Sequence, residues 1–396
     1  MDVIKKVSDS ILNFKKNNNL PKNGNMKTQN IQSTNIRPIN YSINQSKQTS
    51  SETINNEYEI MGNKVNLPYK DWIFGPEAIK SGQFGGNQSS LVENSAKYIN
   101  DPKIKEIVSK YYQDVDAEDL ELLFNKMESV GCGYISVINS ILFEYGYFQD
   151  KHSAADFSNR FGFPIESSEN GYNFDYLFLD FFLYYAKEFK GFKTIEEVYG
   201  NVKEEREQTG GGDSALNHNE FNKTGMNGVI FDELEKVMKD YLRSKGISIN
   251  TVLGRIPMTR EEKIKKIEED KKKGIEWNEE LVLKDDYIMY KDIEQADVEK
   301  WIEASINDIS LVMIVSAGDP TNFTLYYPED IDGNGKLDDV YSGDVGAHAM
   351  TVVGLTDDPT KVVVSSWGRE LVMDIADIDD YVVIDYADFN GVKSSL

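Results

Sequence analysis

A single cysteine and three histidines make up the thiol and imidazole inventory of this 396-residue chain. Cys132 lies in Gly131-Cys132-Gly133-Tyr134-Ile135-Ser136, directly ahead of apolar residues at helical spacing. One cysteine forms no internal disulfide and no multi-cysteine metal site, so its thiol is either a small core residue or a nucleophile. Glycines on both sides allow a sharp turn into helix and leave the sulfur uncrowded. A thiol at a helix N-terminus faces unpaired N–H groups and the positive end of the dipole, which favours the thiolate. Free cysteines are nevertheless among the most buried residue types, so the core reading holds unless a partner is found.

The partner comes more than 200 residues later, in Gly346-Ala347-His348-Ala349-Met350-Thr351-Val352-Val353-Gly354. Of the three histidines, His152 and His218 stand in polar stretches with no rigid element beneath them. His348 stands where a loop runs into a β-branched strand. A catalytic base must be held by scaffold to keep hydrogen-bond reach to a thiol. The next strand follows at once, Lys361-Val362-Val363-Val364-Ser365-Ser366-Trp367-Gly368. Two neighbouring strands, one opening on His and the other closing on Ser-Ser-Trp-Gly, outweigh the bland reading of a lone cysteine.

The set Gly-Cys-Gly, His-Ala-Met-Thr-Val-Val-Gly and Ser-Ser-Trp-Gly resembles papain-like cysteine peptidases. It is most similar to bacterial members related to bacteriocin-leader peptidases, including peptidase-like domains of Firmicutes toxin-type proteins. The resemblance implies an α+β papain-like fold, with a helical lobe carrying the Cys helix and an antiparallel β-lobe carrying the His strand. It implies Cys132 as nucleophile, His348 as base and acid, and Trp367 as a shield over the imidazole. The family's orienting Asn is replaced by Ser365, and a hydroxyl stabilises imidazolium less than a carboxylate does. Asp357, Asp358 and Asp374 are alternatives for that role. The oxyanion side chain, a Gln about six residues before the Cys in the family, is assigned to Asn125, with Gln88 as the second choice; the Cys132 backbone N–H is the other donor.

The implied activity is peptide-bond hydrolysis through a covalent acyl-enzyme, on a protein or peptide substrate and without a required cofactor. The same dyad also serves glutamine deamidases and transglutaminases, and a degenerate scaffold would serve as a binding module. One further segment carries chemistry of its own. Asp330, Asp332, Asn334 and Asp338 offer oxygen ligands at EF-hand-like spacing around Gly333, although Tyr341 stands where the bidentate Glu belongs. Calcium therefore competes with a hairpin turn joining Phe323–Tyr327 to the His348 strand.

The formal charge of −24 argues against nucleic acid and anionic membrane as partners. No Sec-type leader is read at Met1, and no apolar run reaches membrane-spanning length. The expectation is a monomer, cytoplasmic or exported by a route without a Sec signal, in the manner of a toxin or effector. Residues 1–50 hold eight Lys or Arg against two Asp, so charge is segregated at about +6 against about −30. That stretch is poor in aromatics, and residues 1–57 are read as a disordered basic arm. Residues 58–246 form the helical lobe, with helices over 101–112, 116–129, from Cys132, 175–189 and 231–244. Residues 247–396 form the β-lobe, with a solvated helix opened by a Thr259/Glu262 capping box, a helix over 298–306, and a buried strand from Leu311.

Overall fold

The computed structural model describes residues 57–60, 63–66, 85–147, 154–167, 171–200, 225–274, 277–284, 289–307, 311–318, 323–328, 336–337, 339–343, 348–356 and 358–386. Those residues divide into two compact units, Arg255–Asp292 in one and the remainder in the other.

Local signals explain the principal helices of the larger unit. Asp101 caps α1 (Pro102–Ser109) by accepting from the Lys103 N–H at 2.7 Å, and Pro102 takes the first position, where its missing donor costs nothing. Asp116 and Asp119 close a reciprocal capping box on α2 (Ala117–Val130). Only Gly131 separates α2 from α3 (Cys132–Tyr147). Every side chain of α3 from Tyr134 to Tyr145 is buried, so α3 is a central helix packed on all sides. The aromatic helix α4 (Phe174–Tyr184) runs on into a π-helical turn, Tyr185–Phe189. Helix α5 (Phe231–Ser244) ends at Gly246, whose φ of +74° admits the paired carbonyl closures Ile247 N–H to Leu242 and Gly246 N–H to Arg243.

In the smaller unit, α6 (Arg260–Lys272) carries the capping box of Thr259 and Glu262. A minor core of Ile267, Val282 and Met289 supports it. Helix α7 (Gln295–Asn307) returns the chain to the larger unit.

The strands are β1 (Glu57–Ile60), β2 (Asn63–Asn66), the two-residue pair β3 (Glu166–Ser167) and β4 (Gly171–Tyr172), β5 (Asn250–Leu253), β6 (Leu311–Ala317), β7 (Phe323–Tyr326), β8 (Asp339–Gly343), β9 (His348–Thr356), β10 (Lys361–Ser366), β11 (Arg369–Asp374) and β12 (Ile378–Asp385). One antiparallel sheet runs β5-β12-β6-β9-β10-β11-β7-β8, and the β1–β2 hairpin joins it by pairing β2 with the far end of β9. The chain is thus mixed α+β, helices against an antiparallel sheet.

Two features depart from the sequence reading. The sheet draws strands from residues 57–66, ahead of the helices, although strands were expected only after 247. The segment after β7 leads to β8, which pairs back on β7, so the expected hairpin partner of Phe323–Tyr327 is β8 and not the His348 strand. A single core joins both layers, with Leu142 and Phe178 from the helices in one cluster with Val353 and Val383 from the sheet.

Candidate active site

Helix α3 carries a polar seam along one face. Ser136, Asn139 and Ser140, three and four residues apart, lie on one face and meet the sheet. The Ser136 carbonyl accepts from Thr351 Oγ1 at 3.3 Å, Asn139 Nδ2 donates to Ser365 Oγ at 3.3 Å, and Ser140 Oγ bonds Tyr386 OH at 2.8 Å. These contacts set α3 across β9 and β10, with Cys132 at its leading end.

The glycines around Cys132 serve close packing. Gly131 has an ordinary helical φ of −80°, but a Cβ there would come within 2.6 Å of Phe178 Cζ and 2.3 Å of the Met127 carbonyl. A Cβ on Gly133 would come within 2.8 Å of Val229 Cγ1. The sharp-turn role expected for these glycines is therefore replaced by contact on both sides of the thiol. The backbone N–H groups of Ala349, Gly133 and Cys132 itself draw the Cys132 thiol down. Burial outweighs these donors and pushes the thiol up, so the helix N-terminus does not by itself yield a thiolate here.

His348 opens β9 opposite Ala317 of β6 and is 6% exposed. Its Nε2 lies 2.7 Å from Ser366 Oγ. Trp367 stacks on the imidazole with centroids 4.5 Å apart and planes 23° from parallel, and Phe323 lies 6.2 Å away at 10°. Removal from water lowers the imidazole to about 4, so it is neutral near pH 7. Trp367 (φ +49°) and Gly368 (φ +69°) form the two-residue turn between β10 and β11, with Ser366 opposite Arg369. Such a turn requires positive φ at both positions, and a bulky residue adopts that conformation only under strain.

Ser365 pairs in register with Thr351, and both face α3. Alternation along the strands sends His348 and Ser366 to the other face. Ser365, the expected orienting hydroxyl, is thus occupied by Asn139, while Ser366 meets the imidazole. The carboxylate alternatives are engaged elsewhere: Asp374 by Lys361 and by Tyr326 OH at 3.1 Å, and Asp358 by Thr360. Asp357 lies outside the described residues. Among the described residues no hydrogen bond joins the imidazole to the thiol.

The strip Gly85-Gly86-Asn87-Gln88 runs beside this centre. Gly86 N–H donates to Asn139 Oδ1 at 2.8 Å, so Asn139 ties the strip and β10 to α3. Gly85, at φ +94°, sits so close to Ser365 that a Cβ would fall 2.4 Å from its Oγ. Gln88 lies against Gly131, donates from Nε2 to the Glu128 carbonyl at 2.7 Å, and leaves Oε1 buried without a hydrogen-bond partner. Asn125 donates to the Glu121 carbonyl one turn back in α2 at 2.6 Å. Its amide is directed into its own helix, while that of Gln88 stands next to the thiol-bearing turn.

The calcium candidates Asp330, Asp332, Asn334 and Asp338 lie outside the described residues, as do His152, His218 and residues 1–56 of the basic arm; its last residue, Glu57, belongs instead to β1, paired with Asn66. Among the described residues no cluster of three or more His, Cys, Asp or Glu is arranged to hold a metal ion. None of their helices is long and apolar enough to cross a membrane.

Sequence reasoning missed Asn139 and Ser366. Asn139 had a legible signal, a lone amide two turns after Cys132 on an apolar helix. Comparisons with protein-family models, curated proteins and solved structures found no match.

Proposed function

We propose that the chain is a papain-like cysteine peptidase in which Cys132 is the nucleophile and His348 the base and acid. The observation that carries this reading is the packing of the leading end of α3 on β9, where Thr351 Oγ1 donates to the Ser136 carbonyl at 3.3 Å and the Ala349 N–H, next to His348, draws the thiol down. The His348 imidazole has the surroundings of a working base, with one nitrogen tied to Ser366 and one face covered by Trp367. Ser366 at Nε2 leaves Nδ1 to exchange a proton with the thiol.

In the proposed reaction the sulfur attacks the peptide carbonyl. The oxyanion that forms is met by the Cys132 N–H and by the amide of Gln88, which takes over the role first given to Asn125. His348 then protonates the leaving amine, and water releases the acyl group. The acidic body, at −24 overall, favours cationic peptide segments as substrates. A binding module on an inactive scaffold is the second reading, and the missing thiol–imidazole hydrogen bond is the observation in its favour.

Trapping of the acyl-enzyme tests the choice. Incubation with an activated peptide ester, quenched in acid and read by intact mass, is expected to give a single adduct on Cys132. The adduct should be lost in His348→Ala. No adduct at any substrate concentration, in a protein shown to be folded, would favour the binding module.

A further inference from the structure

Resting on Cys132 as the nucleophile, we infer that Gly228-Val229-Ile230 is a substrate-binding wall beside the thiol. Its unpaired backbone receives an extended peptide, and Ile230 selects an apolar side chain near the scissile bond.

Direct contact ties this segment to the thiol-bearing turn. Gly133 follows Cys132 in α3, and a Cβ there would come within 2.8 Å of Val229 Cγ1 and 3.9 Å of Leu234 Cδ2. Val229 stands just ahead of the N-cap of α5 and Leu234 four positions into the helix, the relation of a hydrophobic staple, which accounts for Val229. Upstream, the Met226 N–H donates to the Val198 carbonyl at 2.8 Å, and the Asn227 carbonyl accepts from Tyr134 OH at 3.0 Å. Downstream, Phe231 is buried and the Ile230 carbonyl accepts from the Leu234 N–H at 2.9 Å. The residues between are held at both ends.

Between these anchors the backbone is open. Gly228 is exposed, with no atom within 4 Å of the place a Cβ would take. Among the described residues, the N–H and C=O of Gly228 and Val229 and the N–H of Ile230 make no hydrogen bond. Ile230 is extended, at φ −80° and ψ 152°. An extended peptide laid alongside would supply the missing partners, and a backbone already held in place loses little freedom on receiving it.

The side chain of Ile230 is otherwise unexplained. It is 40% exposed and occupies the N-cap of α5, where Ser, Thr, Asp or Asn would accept from a free N–H; no side chain caps this helix. An exposed β-branched residue in a capping position weakens its own helix start, and such a local conflict marks a functional position. Side chains of an extended peptide alternate, so only every second one can face Ile230.

The test uses full-length Cys132→Ala, which binds without turnover. It is titrated by fluorescence anisotropy with fluorescein-labelled hexapeptides of Gly and Ser that carry Leu, Phe, Lys or Ser at one position in turn. Leu or Phe at one defined position is expected to tighten binding about tenfold over Ser, from the apolar area buried. Adding Ile230→Asn should abolish most of that preference and raise the melting temperature, because Asn caps the helix. Ile230→Val, which keeps the apolar edge, should retain the preference. If Ile230→Asn does not fold, hydrogen exchange in Cys132→Ala decides alone: saturating Leu peptide should slow exchange at the Gly228 and Val229 amides. No binding across the set, binding without side-chain preference, a preference untouched by Ile230→Asn, or unprotected Gly228 and Val229 amides would each overturn the inference. Failure of the peptidase reading is seen separately, as absence of the acyl adduct on wild type, whichever binding pattern is found.

Discussion

Trp367 and His348 stack with their centroids 4.5 Å apart, and the indole reaches that position only because its backbone occupies the left-handed region at φ +49°. Asn or Gly would suit the same turn with less strain. The turn thus retains a costly residue whose side chain covers the imidazole. Replacing Trp367 with Asn should ease the backbone and readmit water to the ring. The imidazole is expected to move from about 4 back toward its ordinary value near 6.5. NMR titration of the His348 ring protons measures this, and an unchanged titration would show that Trp367 does not exclude solvent.

Burial of neutral His348 also couples folding to pH. Its value is depressed in the folded state, so the unfolded chain binds the extra proton between about pH 6.5 and 4. Stability from this group is complete above pH 6.5 and falls as pH drops toward 4, by about 3 kcal/mol at most. Urea denaturation at pH 7.5 and pH 4.5 should therefore show a loss in wild type. His348→Gln, which cannot titrate there, should lose less by a comparable margin.

Glu370 carries the opposite sign. Its carboxyl is raised to about 8 by burial, so the folded protein holds the proton that the unfolded chain releases between about pH 4.5 and 8. Stability from this group is present at low pH and declines as pH rises through 8. Glu370→Gln, neutral at every pH, should be more stable than wild type at pH 8.5, with the difference shrinking toward pH 5. Melting temperatures at the two pH values suffice. A constant offset would mean that Glu370 titrates as an exposed carboxylate does.

Asn139 joins three elements through one amide, accepting from Gly86 N–H at 2.8 Å and donating to Ser365 Oγ at 3.3 Å. Asn139→Ala leaves that buried donor without its partner and should cost about 1–3 kcal/mol. It should also release the strip that carries Gln88. In the proposed enzyme kcat should then fall more than KM rises, because an oxyanion donor acts in the transition state. A stability loss with unchanged kcat would make Asn139 purely structural.

Much of the helical layer was legible because caps are written locally. Asp101 before Pro102, Asp116 before Asp119 and Thr259 before Glu262 each mark a helix start within one turn of sequence, and each is observed as a cap. Strands β9 and β10 were legible for a related reason, being β-branched runs bounded by turns. The short strands β1, β2, β5 and β8 were not, because four or five residues carry too little alternation to be told from a loop. The choice between Ser365 and Ser366 was beyond sequence for a sharper reason. A one-residue step along a strand exchanges the two faces of the sheet, and only the Ser365–Thr351 register fixes which hydroxyl meets α3 and which meets the ring. The state of the thiol was likewise hidden, since a helix N-terminus is local while the burial that opposes it depends on the packed fold.

Cleavage of a peptide library, read by mass spectrometry for the wild-type chain beside Cys132→Ala and His348→Ala, tests the central claim most directly. The account predicts defined new termini with wild type and none above background with either variant, all three proteins having the same circular dichroism spectrum. Cleavage undiminished in Cys132→Ala, or none with folded wild type across the library, would contradict it.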